Sequence, residues 1–347
     1  MSLVLLPKHP QSVTWPTHEW EQGELDPKVD ADALHRVLDW AFAEPQPLEL
    51  DRTHATVVIH RGQLVAERYA QNASAEHTYD SWSMAKSITS ALVGILVREG
   101  RLDIHTPTGI PEWQIDENDP RRSITWDHLL RMVDGLRWRE EYINAEKSDV
   151  IEMIHGRGQA DMAACAASMP ADELPGQRWQ YGSGASNLLA RKVGQIVGGG
   201  RNGMLDFMRK ELFDVIGMRS ANPIFDAADT FIGSSYCYAT ARDFARFGYL
   251  YLRNGVWDGQ QILPDGWVDY TRTPTPQADQ LCYGAHFWLY PGSLGTFACI
   301  GIRGQRTLIV PKLDLVIVRL GETPDSQEEH VNSFTKGIVD AFRPTLP

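Results

Sequence analysis

Apolar residues alternate with polar ones near both ends of the chain, and this period of two predicts β-strands. Residues 55–60 and 63–69 flank Arg61-Gly62, a pair suited to a tight turn, and together predict a β-hairpin. Because a lone hairpin cannot bury its apolar face, we expect it to join further strands from the other end of the chain in one antiparallel sheet. Those strands are predicted at residues 283–290, 296–302, 306–310 and 313–320.

Apolar residues that recur every three or four positions predict helices elsewhere. A strongly apolar pattern runs from Ser81 to about Glu99 and is followed by Gly100, a residue suited to a helix C-cap. One helix is predicted before the hairpin at residues 30–43, and a final one at 327–342. Short helices between loops rich in Pro and Gly are predicted at residues 126–132, 148–155, 161–168, 185–197, 203–216, 241–254 and 264–271.

These elements predict an α+β fold in which an antiparallel sheet is flanked by helices and interrupted by an all-helical domain. Residues 1–80 and 280–347 would form the sheet-containing α/β domain, with residues 1–30 as an ordered arm. Residues 81–279 would form the mostly helical domain. We expect the active site at the interface of the two domains, where clefts commonly lie.

The composition is that of a globular protein, since 43% of the 347 residues are hydrophobic and 22% are charged. The net charge of −12 disfavours nucleic acid or an anionic membrane surface as a partner, and we interpret it as a source of solubility. No apolar run reaches the roughly 18 residues that a membrane span requires. Residues 1–10 lack the basic and apolar regions of a signal peptide, so the sequence predicts a cytoplasmic protein.

The cysteines are scattered along the chain and contain no metal-type C-x-x-C pair. We expect them to be small buried residues in a reducing compartment, and the sequence predicts no metal site. They are Cys165, Cys237, Cys282 and Cys299.

Ser83 and Lys86 are the strongest candidates for catalysis. At a spacing of three residues, both side chains lie on one face of the first turn of the predicted helix. A serine hydroxyl is a weak nucleophile until a base removes its proton, and a lysine is such a base only when burial lowers its pKa toward neutrality. The positive end of the helix dipole favours the same change and also favours an oxyanion nearby. The alternative interpretation of Ser83 is a helix N-cap or a surface serine.

Other motifs are weaker. A second S-x-x-K, formed by Ser333 and Lys336, falls in the middle of the last predicted helix on a polar face, and we interpret it as surface. Residues 198–203 fit G-x-G-x-x-G but follow a helix, so they predict a loop rather than a dinucleotide site. The 11 histidines leave a Ser-His-Asp triad open, although none has a spacing that distinguishes it.

Three motifs in order resemble those of the class C β-lactamase-like serine hydrolases, which share the penicillin-binding protein fold. They are Ser83-Met84-Ala85-Lys86, then Tyr181-Gly182-Ser183, and last Cys299-Ile300-Gly301 on a predicted strand. Within this superfamily the sequence resembles in particular the 6-aminohexanoate-dimer hydrolase and esterase branch, over roughly residues 50–340. The resemblance implies a β-lactamase/transpeptidase-like fold.

The resemblance also implies a role for each matched residue. Ser83 would be the acylated nucleophile and Lys86 its hydrogen-bonded activator. Tyr181 would shuttle a proton between Ser83 and the leaving group, since a phenol near the Lys86 ammonium ionises more easily and can then act as a base. The backbone N–H groups of Ser83 and Ile302 would form the oxyanion hole.

The sequence departs from the family pattern in two motifs. Ser183 stands where β-lactamases have Asn, and Cys299 stands where they have the Lys of Lys-Thr-Gly, which holds a substrate carboxylate. Arg303 either supplies the missing charge or is a solvated arginine at the strand end. We expect Ser183, Gly301 and Arg303 to bind substrate. Tyr142 joins them, because it falls where the dimer-hydrolase branch places a substrate-side tyrosine.

The sequence thus predicts a serine hydrolase that cleaves small-molecule esters or amides through an acyl-enzyme on Ser83, without a metal or a cofactor. A β-lactamase or DD-peptidase is an alternative, which the altered third motif disfavours. A non-catalytic binding or scaffold member of the fold is another, which the intact set of Ser83, Lys86 and Tyr181 disfavours. The predicted partner is a small-molecule substrate rather than nucleic acid or a membrane, and the oligomeric state stays open.

Overall fold

The structure is a computed structural model that describes residues 3–142 and 148–346. Within these residues no helix combines the length and the apolar character needed to cross a membrane. The helices are α1 (Ala31–Ala41), α2 (Ala85–Arg98), α3 (Trp126–Arg131), α4 (Asp149–His155), α5 (Met162–Ala167), α6 (Ser183–Val197), α7 (Gly200–Met208), α8 (Ala241–Leu252), α9 (Trp267–Thr271) and α10 (Glu328–Phe342). The strands are β1 (Thr53–His60), β2 (Gln63–Tyr69), β3 (Thr78–Tyr79), β4 (Asn222–Pro223), β5 (Cys237–Thr240), β6 (Val256–Trp257), β7 (Gln260–Gln261), β8 (Trp288–Leu289), β9 (Phe297–Gly301), β10 (Gln305–Val310) and β11 (Leu315–Gly321).

The main sheet contains strands from both ends of the chain. Its order is β2-β1-β11-β10-β9-β8, and each neighbouring pair is antiparallel. Val57 of β1 lies opposite Val318 of β11, which joins the N-terminal hairpin to the C-terminal strands as the strand pattern predicts. Arg61 and Gly62 have φ values of 51° and 84°, the positive values that a two-residue hairpin turn requires.

Helices cover both faces of this sheet. On one face α8 packs against β1, β10 and β11. Gly248 permits this approach, because a Cβ there would lie 2.7 Å from Thr307 Cγ2 and 2.8 Å from Val316 Cγ1. On the other face α1 and α10 pack together over a second apolar core. Although α8 lies within residues 81–279, it packs on the sheet. The division of the chain into two domains at the predicted boundaries stays a prediction.

The helix α2 forms the centre of the helical part. All of its residues from Ala85 to Leu96 are buried. Gly94 allows close contact with Trp267, whose ring atoms would lie 2.7 Å from a Cβ at this position. The helix ends before Gly100, which has φ 68° and supplies the left-handed residue typical of a helix C-terminus. The helix is therefore a rigid support for the residues at its N-terminal end.

The N-terminal arm packs on the sheet layer through aromatic contacts. His9 stacks on Trp15 with ring centroids 3.9 Å apart, and its Nδ1 lies 2.7 Å from the hydroxyl of Tyr249 on α8. Trp257 donates a hydrogen bond to the hydroxyl of Thr17 at 2.7 Å. These contacts order the arm without regular secondary structure.

The strand predicted at residues 283–290 is wrong for most of its length, because only Trp288 and Leu289 lie in a strand. His286 has φ 63°, which an extended strand does not allow. Its ring nitrogens lie 2.7 Å from the carbonyl of Leu130 and 2.8 Å from the hydroxyl of Ser186. Tertiary hydrogen bonds therefore hold this segment out of the sheet.

Candidate active site

Ser83 lies in a 3-10 turn, Trp82–Met84, which leads into α2. The sequence predicts a helix from Ser81, whereas the structure places this tighter turn first. Trp82 has φ 42°, in the left-handed region that is disfavoured for a non-glycine residue. Its N–H donates to Asp80 Oδ1 at 3.0 Å, and the hydroxyl of Ser81 donates to the carbonyl of Ser235 at 3.1 Å. These bonds hold the backbone beside Ser83 in a conformation it would not adopt alone.

Lys86 is buried on the first turn of α2 with its ammonium group directed at Ser83. Its Nζ donates to Ser83 Oγ at 3.0 Å, to Ser183 Oγ at 3.0 Å and to the carbonyl of Ser234 at 2.8 Å. Burial lowers the pKa of Lys86 to about 8, while the negative charge of Glu140 acts in the opposite direction. A lysine with this pKa exchanges protons near neutral pH, as a general base must.

Tyr181 lies beside both residues. Lys86 Nζ is 5.0 Å from the centroid of its ring, and Tyr181 lines the same cavity as Ser83. Burial, and then the charge of Glu140, raise the pKa of Tyr181, although the hydrogen bond from Ser83 opposes them. This direction is opposite to the one expected from the nearby ammonium. The ring also packs against Trp288 at 5.3 Å, so the side chain is held as a protonated phenol in an aromatic wall.

Glu140 connects these groups, although no sequence motif predicted it. Its carboxylate accepts hydrogen bonds from Trp138 Nε1 at 2.6 Å, from the hydroxyl of Tyr142 at 2.6 Å, and from both the N–H and the hydroxyl of Ser183, at 2.9 and 2.6 Å. Lys86 therefore reaches Glu140 through one hydroxyl. The local sequence gives no periodic signal here, because Glu140 lies in a loop and its contact with Ser183 spans 43 residues.

A cavity of about 400 Å³ opens over Ser83. Five residues with a role predicted from the sequence line it, namely Ser83, Tyr142, Tyr181, Gly301 and Ile302. The structure therefore brings the first, second and third motifs to one cleft, as their order along the chain predicts.

Gly301 lets the end of β9 lie against the turn that carries Ser83. A Cβ at this position would lie 2.6 Å from the carbonyl oxygen of Ser81 and 2.9 Å from Trp82 Cβ, closer than folded proteins tolerate. The turn that carries Ser83 therefore contacts β9, and both Ser83 and Ile302, which follows β9, line the cavity. Their N–H groups are the donors that the family resemblance assigns to an oxyanion hole.

Other candidate groups lie elsewhere. His286 is buried, and burial lowers its pKa to about 3, so the ring is neutral and bonded to Ser186 rather than to Ser83. Ser333 and Lys336 are exposed on α10, where Lys336 pairs with Asp340. In the two described segments no group of three or more His, Cys, Asp and Glu side chains could hold a metal ion.

Comparisons with known proteins identify the family. The sequence profile described as Beta-lactamase matches residues 52–336. The chain belongs to the beta-lactamase family. This membership confirms the superfamily that the three motifs predict, and it places the protein among hydrolases. The antiparallel sheet flanked by helices confirms the predicted fold class.

Individual known proteins are similar to this chain over most of their length. The 6-aminohexanoate-dimer hydrolase of Paenarthrobacter ureafaciens is 26% identical over 340 residues, covering 90% of this chain and 84% of that protein. A Bacillus anthracis structure assigned as a 6-aminohexanoate-dimer hydrolase matches with a TM-score of 0.76 and 22% identity, covering 100% of this chain and 92% of that one. An octameric penicillin-binding protein homologue from Pyrococcus abyssi matches with a TM-score of 0.69 and 17% identity, covering 92% and 79%. These structural matches show the fold.

Two residues that we expected to bind substrate lie outside the cavity lining of this beta-lactamase-family protein. Ser183 is fully buried, and its hydroxyl is used by Lys86 and Glu140. Arg303 donates to Glu322 at 2.5 Å, and its guanidinium lies 5.6 Å from the centroid of the Trp82 ring. The strand-end position of Arg303 therefore serves an exposed ion pair rather than the cleft.

The third motif also lacks a free cation at its first position. Cys299 is buried, and burial raises the pKa of its thiol to about 12, so the group is neutral. Arg306 lines the cavity, although no sequence motif predicted it. Its guanidinium is 2% exposed and paired with Glu328.

Proposed function

We propose that this hydrolase cleaves small-molecule amides or esters through an acyl-enzyme formed on Ser83. The observation that carries the proposal is the 3.0 Å hydrogen bond between Ser83 Oγ and the Nζ of a buried Lys86 whose pKa is lowered to about 8. A serine that is only structural needs no such partner, and an isolated buried ammonium is unfavourable. Perturbed groups of this kind, when they lie in a cleft, are typical of catalytic sites.

Acylation begins with neutral Lys86. An ammonium has three N–H donors, and its acceptors here are Ser83 Oγ, Ser183 Oγ and the Ser234 carbonyl. Loss of one proton leaves two donors for Ser183 and Ser234 and a lone pair directed at the Ser83 hydroxyl. Lys86 then takes the Ser83 proton while Oγ attacks the substrate carbonyl.

Tyr181 then protonates the leaving group. Because burial and Glu140 raise its pKa, the phenol keeps its proton and acts as an acid rather than as the phenolate base expected from the sequence. It passes its O–H proton to the departing nitrogen or oxygen, and the proton held by Lys86 replaces it. Water hydrolyses the acyl-enzyme by the reverse transfers.

The oxyanion of the tetrahedral intermediate would be stabilised by the N–H groups of Ser83 and Ile302. Both residues line the cavity, and the N-terminal end of α2 adds a favourable dipole. Loss of a single donor of this kind typically lowers kcat by about 10²–10³.

The substrate is proposed to be a small linear amide or ester. The relative from Paenarthrobacter ureafaciens is named for hydrolysing the 6-aminohexanoate dimer, an amide. The cavity over Ser83, of about 400 Å³, lies within the usual range for a small-molecule site. β-Lactams and peptidoglycan peptides are the less favoured class. In this chain the neutral Cys299 stands at the position of the family lysine, and Arg303 pairs with Glu322.

A substrate panel with site variants tests the proposal. We expect turnover of short-chain nitrophenyl esters and of at least one linear amide such as the 6-aminohexanoate dimer, slow or absent turnover of nitrocefin, and loss of both activities in Lys86→Ala. Full activity in both Lys86→Ala and Tyr181→Phe would show that the mechanism is wrong. Rapid nitrocefin turnover would favour a β-lactamase, and inactivity on the whole panel would favour a binding member of the fold.

A further inference from the structure

Arg306 is buried beneath the loop that joins β9 to β10, which carries Ile302. Its Nη1 donates to the carbonyl of Gly301 at 3.2 Å and to the carbonyl of Gln305 at 2.9 Å. Its Nη2 donates to Glu328 on α10 at 2.5 Å. One guanidinium thus ties both ends of the loop to each other and to the helix behind the sheet.

A second buried arginine holds the middle of the same loop. Arg319 Nη1 donates to the carbonyls of Arg303 at 3.2 Å and Gly304 at 3.1 Å. Burial, and then the positive charge of Arg306, lower the pKa of Arg319. Two buried like charges disfavour folding unless hydrogen bonds or ion pairs with the surrounding groups offset the cost. The groups that benefit here are loop carbonyls, which accept hydrogen bonds from the two guanidinium groups.

The peptide between Gly301 and Ile302 connects Arg306 to the proposed oxyanion hole. The carbonyl of Gly301 and the N–H of Ile302 belong to the same planar trans peptide and point in opposite directions. We propose that Arg306 is a positioning residue, which fixes the Gly301 carbonyl on its guanidinium so that the Ile302 N–H faces the oxyanion formed at Ser83. This inference rests on the proposed function, because it assigns a role within the acyl-transfer step.

The charge of Arg306 also strengthens the donor. A hydrogen bond from a guanidinium to the carbonyl oxygen polarises the amide, and in a buried site the effect on its N–H is larger than in water. The hydrogen bonds that the structure gives this guanidinium run to the protein, at Gly301, Gln305 and Glu328, and we therefore assign Arg306 a role through this peptide rather than on the substrate.

Two variants of Arg306 and a matched control test the inference. Arg306→Lys keeps the charge but loses the fork that reaches the loop carbonyls through Nη1 and Glu328 through Nη2, and Arg306→Gln removes the charge. Arg253→Lys is the control, because Arg253 is 1% exposed and is likewise paired with a carboxylate, Asp314, but lies outside the cavity. Folded fraction is measured for each by near-UV circular dichroism, and rates are corrected for it.

We expect kcat on a nitrophenyl ester to fall about 10²-fold in Arg306→Gln, with KM changed by less than about threefold. A simple alkylboronic acid forms a tetrahedral adduct that places an oxygen at the oxyanion position. Its inhibition constant should rise by a similar factor in Arg306→Gln. Arg306→Lys should lie between Arg306→Gln and the wild type. Arg253→Lys should stay within about threefold of wild type in every parameter.

Three outcomes would overturn the inference. Wild-type kcat in folded Arg306→Gln would exclude a positioning role. A large rise in KM at constant kcat would mean that Arg306 binds substrate directly. If kcat falls but the affinity for the boronic acid is unchanged, the oxyanion hole is intact and the defect lies in another step of the reaction. Failure of the proposed function is recognised separately, because wild-type protein would then show neither ester turnover nor inhibition by the boronic acid.

Discussion

Lys86 and Glu140 are joined through the hydroxyl of Ser183. Lys86 Nζ donates to Ser183 Oγ at 3.0 Å, and Ser183 Oγ donates to Glu140 Oε1 at 2.6 Å. The carboxylate is therefore close enough to influence the lysine without neutralising it by direct contact. Burial makes Lys86 more acidic, Glu140 makes it more basic, and the balance leaves its pKa at about 8.

Activity should follow the titration of Lys86. The neutral amine is the base, so kcat/KM should rise by about tenfold per pH unit below an apparent pKa near 8 and become constant above it. A pH profile of ester hydrolysis measures this. A profile that falls with rising pH through the same range would contradict the assignment of Lys86 as base.

Replacing Glu140 should move that profile. Because the negative charge raises the pKa of Lys86, Glu140→Gln should shift the apparent pKa of kcat/KM to lower values. The control is Glu117→Gln, which removes an exposed carboxylate that does not line the cavity and should leave the profile unchanged. An upward shift in Glu140→Gln would mean that its hydrogen bonds, rather than its charge, govern Lys86.

Tyr181→Phe should affect amides more than activated esters. A departing amine must receive a proton, whereas nitrophenolate leaves without one, so we expect a loss of about 10²–10⁴ in kcat for amides and a smaller loss for nitrophenyl esters. Tyr283→Phe is the matched control, since Tyr283 belongs to the same aromatic cluster, 5.9 Å from the Tyr181 ring, but does not line the cavity. Equal losses on both substrate types would argue against the acid role.

Gly301→Ala should disrupt the site and destabilise the protein. The added Cβ would meet the Ser81 carbonyl at 2.6 Å, so the end of β9 must move away from the turn that carries Ser83. We expect a loss of about 1–3 kcal/mol in the free energy of unfolding, as for other overpacked sites, together with lower kcat. Gly194→Ala is the contrast, because nothing lies within 4 Å of a Cβ there and α6 should gain about 0.5–1 kcal/mol. Urea denaturation distinguishes the two.

The pH dependence of stability provides an independent test of the Lys86 pKa. In the folded protein this pKa lies near 8, below the ordinary value of 10.5, so the unfolded chain binds more protons between these pH values. Stability should therefore rise with pH across that interval, by about 3 kcal/mol relative to Lys86→Met. Parallel stability curves for wild type and variant between pH 7 and 10 would show that the lysine is not perturbed.

The parts of the structure that local sequence determines were predictable. Gly62 supplies a positive φ that the predicted hairpin turn requires, and α2 forms because its apolar residues are buried from Ala85 to Leu96. Ser83 and Lys86 share a face because the chain spacing places them there. The missed features arise from long-range contacts. Glu140 enters the site only through a loop, and His286 leaves its predicted strand because its ring bonds to Leu130 and Ser186.

The direction of the Tyr181 pKa shift also depends on long-range contacts that the sequence does not give. The sequence identified the charge of Lys86 as its nearest influence, but not the burial and the carboxylate that outweigh it. Such balances depend on which loops close over a side chain. Spacing alone gives the partners of a group on its own helix, and it does not give the groups that other elements bring to it.

The most direct test of the account is the intact-protein mass after exposure to a fluorophosphonate, measured for wild type, Ser83→Ala and Ser333→Ala. Ser333 is the control because it belongs to the second S-x-x-K motif and is exposed on α10. We predict a single adduct on wild type and on Ser333→Ala, and none on Ser83→Ala. An adduct that persists in Ser83→Ala, or none on wild type, would contradict the assignment of Ser83 as the activated nucleophile.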